Sequence, residues 1–283
     1  MNRSLESRLY WLLRAAVFTE FIGHGAFGII TKKAWVPYFG VVGIPPAWAW
    51  KLMPIVGCVD ILAGLSILLW PRRAVVLYMA IWGFWTALLR PLAGETVWET
   101  LDRAGNYGVP LALLFCSKST GWAARLHPRP LDFVSRNRIA WILRFTTAAL
   151  LIGHGAFGAV VRKPQLTQQL ASIGLSKLAE TVLGGFEIAL GLAVLLQVSG
   201  PLLLFICGWK LATEFLYPLS GAPIWEFVER GASYAAPLAL FLLNRQSLGS
   251  GPVENQIQTL VGKTPVRGDL LASTKPHAPH PSN

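Results

Sequence analysis

Between residues 8 and 243 the chain is a succession of apolar stretches. Each is close to the roughly 20 residues that an α-helix needs to cross a bilayer. The stretches predict helices near residues 8–30, 47–70, 74–92, 97–117, 139–161, 178–198, 201–217 and 224–243. With 53% hydrophobic and 14% charged residues the chain lies outside the range of water-soluble domains, so the fold class expected is an all-α polytopic membrane protein.

The second four stretches repeat the first four. "GHGAFG" occurs at residues 23–28 and again at 153–158, and Arg144 follows Arg14 at the same spacing. Further on, "VGCVDILAGLSILL" aligns with "LGGFEIALGLAVLL", which sets Asp60 opposite Glu187. "RPLAGETVWETLDRAGNYGVPLALLF" then aligns with "YPLSGAPIWEFVERGASYAAPLALFL". Such self-similarity marks a duplicated structural unit. Four helices per unit return the chain to its starting side, so the two units are expected as parallel-repeat four-helix bundles, eight helices in all, about an axis along the membrane normal.

The units predicted are residues 1–117 and 139–244, separated by a basic linker over 118–138 and followed by a disordered tail over 245–283. That tail is rich in Gly, Pro and Ser, so its His277 and His280 are poor site candidates. A start over "MNRSLESRLYWLLRAAVFTEF" is basic, but Arg14, Glu20 and His24 interrupt the apolar core of a signal peptide; it is read as a retained first helix. Arg72 and Arg73 between the second and third helices, with Lys118, Arg125, Arg129, Arg136 and Arg138 in the linker, place both termini in the cytoplasm of a bacterial inner-membrane type of protein.

A formal net charge of +11 could indicate nucleic acid, yet the cations sit at segment ends and in one loop without interleaved aromatics. Lipid headgroups and topology account for them, and no nucleic-acid partner is expected. Cys58, Cys116 and Cys207 are dispersed through apolar segments without metal-type or redox-pair spacing.

Ionisable residues at membrane depth are costly and usually face a bundle interior or a water cavity. His24 and Glu20 lie one turn apart on the first helix, Asp60 is near the middle of the second, and Arg90 ends the third. The fourth opens on "TVWE", a capping-box pattern, and then places Glu99, Asp102, Arg103 and Asn106 on one face. These side chains are expected to converge on one polar pocket in the first unit. A second pocket follows from His154, Glu187, Lys210, Glu214, Glu226, Glu229 and Arg230. Structural readings stand beside this one: Glu99 with Arg103, Glu226 with Arg230 and Lys210 with Glu214 are i,i+4 ion pairs. Trp82, Trp98, Trp209 and Trp225 read as packing or interface aromatics.

Three roles fit the two histidines. Flanking glycines permit a close helix crossing with the imidazole bonded to a neighbour. His24 and His154 could instead ligate a haem from both sides, if they faced each other. Or each imidazole could bond the carbonyl of a quinone-like ligand, with the carboxylates relaying protons.

The stretch from "LRFTTAALLIGHGAFGAVVRK" through "SIGLSKLAETVLGGFEIALGLAVLL" resembles the opening helices of DoxX-like membrane proteins, and the first unit matches with "VVGI" and Asp60. The matching positions are Arg144, His154, Gly155, Lys163, Gly174, Glu187 and Gly191, with Arg14, His24, Gly25, Lys33, Gly43, Asp60 and Gly64 in the first unit. The resemblance implies a four-helix membrane bundle per unit. It also implies a link to quinone redox chemistry, as a quinone-linked oxidoreductase or a subunit of one beside other membrane or redox subunits. A small-solute transporter and a non-catalytic assembly subunit are the alternatives.

Overall fold

The computed structural model describes residues 5–249, which are almost entirely helical. α1 (Leu5–Ile29) leads through a 3-10 turn (Lys33–Trp35) into α2 (Val36–Val41), followed by α3 (Pro46–Leu69), α4 (Arg73–Leu92), α5 (Trp98–Asp102) and α6 (Ala104–Phe115). Two-residue strands, β1 (Ser117–Lys118) and β2 (His127–Pro128), pair antiparallel in the linker. After α7 (Phe133–Ala156) a π-helical turn runs over Phe157–Val161, and then come α8 (Pro164–Ser172), α9 (Lys177–Leu196), α10 (Gly200–Leu219), α11 (Trp225–Val228) and α12 (Gly231–Gly249). Of the expected tail, residues 250–283 lie outside the described residues, as do His277 and His280.

Among the described residues five helices are long and apolar enough to cross a membrane: Pro46–Leu69, Arg73–Leu92, Phe133–Val161, Lys177–Leu196 and Gly200–Leu219. Leu5–Ile29 with Lys33–Val41, bent by 95°, makes a sixth if counted as one span. Eight were expected. The difference lies in the fourth segment of each half, where the chain breaks between α5 and α6 and again between α11 and α12. α6 alone is too short to span. Large apolar side chains such as Ile55, Leu62, Leu69, Ile81, Val182 and Leu196 point outward from the spans. A surface this apolar needs lipid around it, which marks a multi-pass membrane protein.

The core gathers on α7, 61% of whose span window is buried against about a third for the spans α3 and α4. Leu143 and Leu151 of α7 pack in one cluster with Leu13 and Val17 of α1, Val109 of α6 and Leu203 of α10. The glycines of the repeated hexapeptide explain how these helices come so close. A Cβ on Gly25 or Gly28 would fall 2.7 or 2.6 Å from the α3 backbone at Gly57, and one on Gly155 would fall 2.5 Å from Gly184 of α9. The leading glycine touches the opposite half: Gly23 lies against the backbone at Glu229, beyond α11, and Gly153 against that of Asp102 in α5. Small residues allow this backbone contact.

Arg14 and Arg144 do equivalent work lower on the same helices. Arg14 donates to the carbonyls of Ile67 and Leu68 at 3.0 and 2.6 Å, and Arg144 to those of Val194 and Leu195 at 2.7 and 2.5 Å. Each guanidinium thereby satisfies orphan carbonyls at the end of α3 or α9.

The linker is shorter and more structured than its sequence suggests. α7 begins at Phe133, where Asp132 caps it by accepting from the Ser135 N–H at 2.7 Å. The Ser135 hydrogen bonds hold the Asp132 carboxyl below its ordinary value. Leu126 and Leu131 are buried, and Tyr10 donates to the Leu126 carbonyl at 2.8 Å.

The π-helical turn shifts the repeat by one residue. His24 and His154 are 130 positions apart, but Thr31 and Arg162, both left-handed at φ 56° and 53°, are 131 apart, as are Gly43 and Gly174. Lys32 donates its N–H to the Phe27 carbonyl and stacks its ammonium on the Phe27 ring at 3.8 Å. Lys163 does both with Phe157, at 4.3 Å from the ring. The counterpart of Lys163 is therefore Lys32, not Lys33. An extra residue accommodated as a π-bulge leaves the flanking structure in register.

Candidate functional site

The polar residues meet near the end of α1. In the first half His24 Nδ1 lies 2.8 Å from Asp60 Oδ2, and its ring stacks on Trp35 with centroids 4.4 Å apart. Asp60 is fully buried, whereas the His24 side chain keeps 19% of its surface exposed. Arg90 donates to the Tyr38 hydroxyl at 2.9 Å and reaches Glu95 and Glu99 at 3.6 and 3.5 Å. Tyr38 donates in turn to Glu95. Arg103 bonds Glu99 at 2.8 Å and Asp102 at 3.2 Å.

The second half builds the same centre with different closure. His154 Nδ1 contacts Glu187 Oε2 at 2.5 Å, with 6% of the histidine side chain exposed. The other oxygen of Glu187 accepts from Trp209 Nε1 at 2.8 Å. Lys210 pairs with Glu214 at 2.8 Å, and Arg230 pairs with Glu214, Glu226 and Glu229 at 2.9, 2.7 and 2.9 Å. Every charge is met by an opposite one nearby, as buried charges require.

These are not two independent pockets, which corrects the expectation of one per unit. Lys163, from the second half, sits 2.5 Å from Glu99, and Lys32, from the first half, sits 2.6 Å from Glu226. Each half thus supplies a cation to the other's short α5 or α11 helix. Glu99 is consequently drawn into a cluster with Arg90, Arg103 and Lys163 and does not reach back in a capping box: α5 has no side-chain cap. Each histidine contacts a carboxylate of its own half through Nδ1.

The halves differ most on α4 and α10. Where the first has Gly83, Ala87 and Arg90, the second has Lys210, Glu214 and Tyr217. Pro110 leaves the Asn106 carbonyl without its helical donor, and that oxygen lies 2.2 Å from where a Gly83 Cβ would stand. Beside this contact the first half holds a cavity of about 330 Å³. Trp35, Phe39, Met53, Trp82 and Trp85 form its apolar walls, and His24, Tyr38, Arg90, Arg103 and Asn106 its polar end. It reaches Val42 and Ile55, which are exposed on the outer surface of the helices.

Among the described residues, three buried polar atoms around this end have no hydrogen-bond partner: Glu20 Oε2, Asp60 Oδ1 and Trp82 Nε1. Their second-half counterparts are settled. Trp209 bonds Glu187, and Leu150 replaces Glu20. Asp60 is one methylene shorter than Glu187, and the bond to the indole is not made. Buried polar groups are normally bonded to protein or water, and of these three only Trp82 lines the cavity itself.

Sequence reasoning located His24, Asp60, Arg90, Glu99, Asp102 and Arg103, and in the second half His154, Glu187, Glu214, Glu226, Glu229 and Arg230. The structure brings each set into contact range of its neighbours. It missed Trp35, Tyr38, Glu95 and the cross-half lysines, all in connections between the apolar runs. The Gly83/Lys210 and Ala87/Glu214 mismatches were visible in the aligned repeats and carried the asymmetry. No known family's sequence profile, curated protein or solved structure matches the chain.

Proposed function

We propose that the chain is a tandem DoxX-like protein of the bacterial inner membrane, with two parallel-repeat four-helix bundles, eight membrane segments and cytoplasmic termini. On this reading its first half binds a lipophilic, quinone-like ligand in a redox-associated role, as a quinone-linked oxidoreductase or a subunit of one. The observation that carries it is the first-half cavity, apolar along its walls, polar at its end and reaching the lipid-facing surface at Val42 and Ile55. Pockets of this size with a few convergent polar groups are ordinary small-molecule sites.

His24 is the central group. A carboxylate at Nδ1 fixes the ring and leaves Nε2 as an acceptor when neutral and a donor when protonated. A ligand carbonyl at that nitrogen would accept a hydrogen bond from the protonated ring, with Glu20 and Asp60 on the same side of the helix pair. Arg90 and Arg103, already neutralised by Glu95, Glu99 and Asp102, orient the polar end without adding net charge.

Titration of the detergent-solubilised chain with a short-chain quinone, read by tryptophan quenching, tests this. Saturable binding is expected in the wild type, and His24→Ala should weaken it about tenfold, the worth of one hydrogen bond involving a charged group. Linear, non-saturable quenching unchanged by His24→Ala would overturn the reading. The second half favours a supporting role, because Lys210 and Glu214 stand where the first half has Gly83 and Ala87, and Trp209 is bonded to Glu187.

A further inference from the structure

At the opposite end of the helices lies a cavity of about 470 Å³ between the start of α4, the end of α6 and the linker. Leu77, Leu111, Leu114 and Phe115 supply its apolar surface, and Arg73, Lys118, Arg129 and Arg138 supply four cations. Among the described residues no carboxylate lines it. The cations near His24 all stand in ion pairs, but among the described residues none of these four does.

Their present contacts leave charge to spare. Arg73 lies over the Trp122 ring at 4.8 Å, and Arg138 over Phe115 at 5.2 Å. Arg129 donates from Nη2 to Ser135 at 2.6 Å, while its buried Nε has no partner. The nearby acid, Asp132, has one oxygen engaged as the α7 cap and forms no ion pair among the described residues. Asp132 feels the charges of Arg129 and Arg138 without pairing with either, so among the described residues four cations share one cavity with a single unpaired acid beside it, an excess of positive charge that suits an anion from outside.

We infer that this cavity is a binding site for an anionic glycerophospholipid, with the phosphate held among Arg73, Lys118, Arg129 and Arg138 and acyl chain against Leu77, Leu111 and Phe115. Cavity position, charge and apolar floor agree: α4 begins and α6 ends there, at headgroup depth for a spanning helix. Basic pockets between membrane helices select anionic headgroups in this way. The site requires only that these helices span a membrane and is independent of any ligand near His24.

Native mass spectrometry of the full chain tests it, in micelles doped with equimolar phosphatidylglycerol and phosphatidylcholine. Retention of phosphatidylglycerol over phosphatidylcholine is expected. Arg73→Gln with Arg138→Gln should reduce that retention about thirtyfold, near fivefold per charge. Arg73→Lys with Arg138→Lys, which keeps the charge, should restore most of it, and Lys33→Gln, outside the cavity, should leave it unchanged. Equal retention of both lipids, or retention unaffected by the Gln pair, would overturn the assignment. So would displacement of the lipid by inorganic phosphate at equal concentration, since that would show a site for the free anion and not for the lipid.

Discussion

The His24 and His154 centres begin from one hexapeptide and end in different states. Both imidazoles bond a carboxylate on the following long helix, and both glycine sets hold the same close crossings. Around His154 Trp209 bonds Glu187, and Lys210, Glu214 and Arg230 meet in ion pairs, although Lys210 Nζ and Glu214 Oε2 make no geometrically formed hydrogen bond. Around His24 the corresponding atoms of Asp60 and Trp82 stay unbonded beside a cavity. The glycine frame is therefore a scaffold feature, and the residues on α4 and α10 decide whether its polar end is locked or open.

The largest effect expected from breaking this comparison is in the second half. Lys210→Met leaves Glu214 and Glu187 short of a buried cation, and removing one partner of such a pair costs about 3–5 kcal/mol. A large fall in the thermal midpoint in detergent should follow. Lys210→Met with Glu214→Met, which removes both charges at similar volume, should recover much of it. If the single variant melts like the wild type, the ion pairs do not lock this half.

Next in size are the crossings themselves, where the halves should behave alike. Gly57→Ala and Gly184→Ala each put a methyl within 2.6 Å of backbone on α1 or α7, and overpacking of this kind costs about 1–3 kcal/mol. Similar losses in the two variants, read by the same melts, support a common frame. A loss confined to one of them would break the equivalence.

What the sequence revealed and concealed follows from these parts. The recurring hexapeptide and its glycines were legible because they are patterns within the chain, and Asp60 with Glu187 stood out as carboxylates inside apolar runs. The π-bulge was hidden, since Lys163 aligns with a lysine at either spacing, Lys33 at 130 residues and Lys32 at 131. Pairing across the halves was also hidden: Lys32 and Lys163 lie in connections, and their partners Glu226 and Glu99 sit 194 and 64 residues away. The short α2 and α8 lacked a length of apolar sequence that would distinguish them from loop, and the broken fourth segments read as continuous because their apolar content is continuous.

The smallest expected effect concerns the join between the halves. Asp132 is exposed, and its carboxyl is held low by the Ser135 bonds. A carboxyl depressed on folding stabilises above its unfolded pKa, and that contribution disappears as pH falls through the folded value. Asp132→Ala should therefore lower the melting midpoint slightly at neutral pH and not in acid. An equal difference at both pH values would remove the cap from the account.

The central claim is that the first half alone is open to a ligand, and a photoreactive short-chain quinone tests it most directly. After illumination and proteolysis of the full-length protein in detergent, label is expected in peptides carrying Met53 and Trp82 to Arg90, and competition by unmodified quinone should remove it. Equal, competable labelling of the corresponding second-half peptides from α9 and α10, or labelling spread over the lipid-facing helices without competition, would contradict the account.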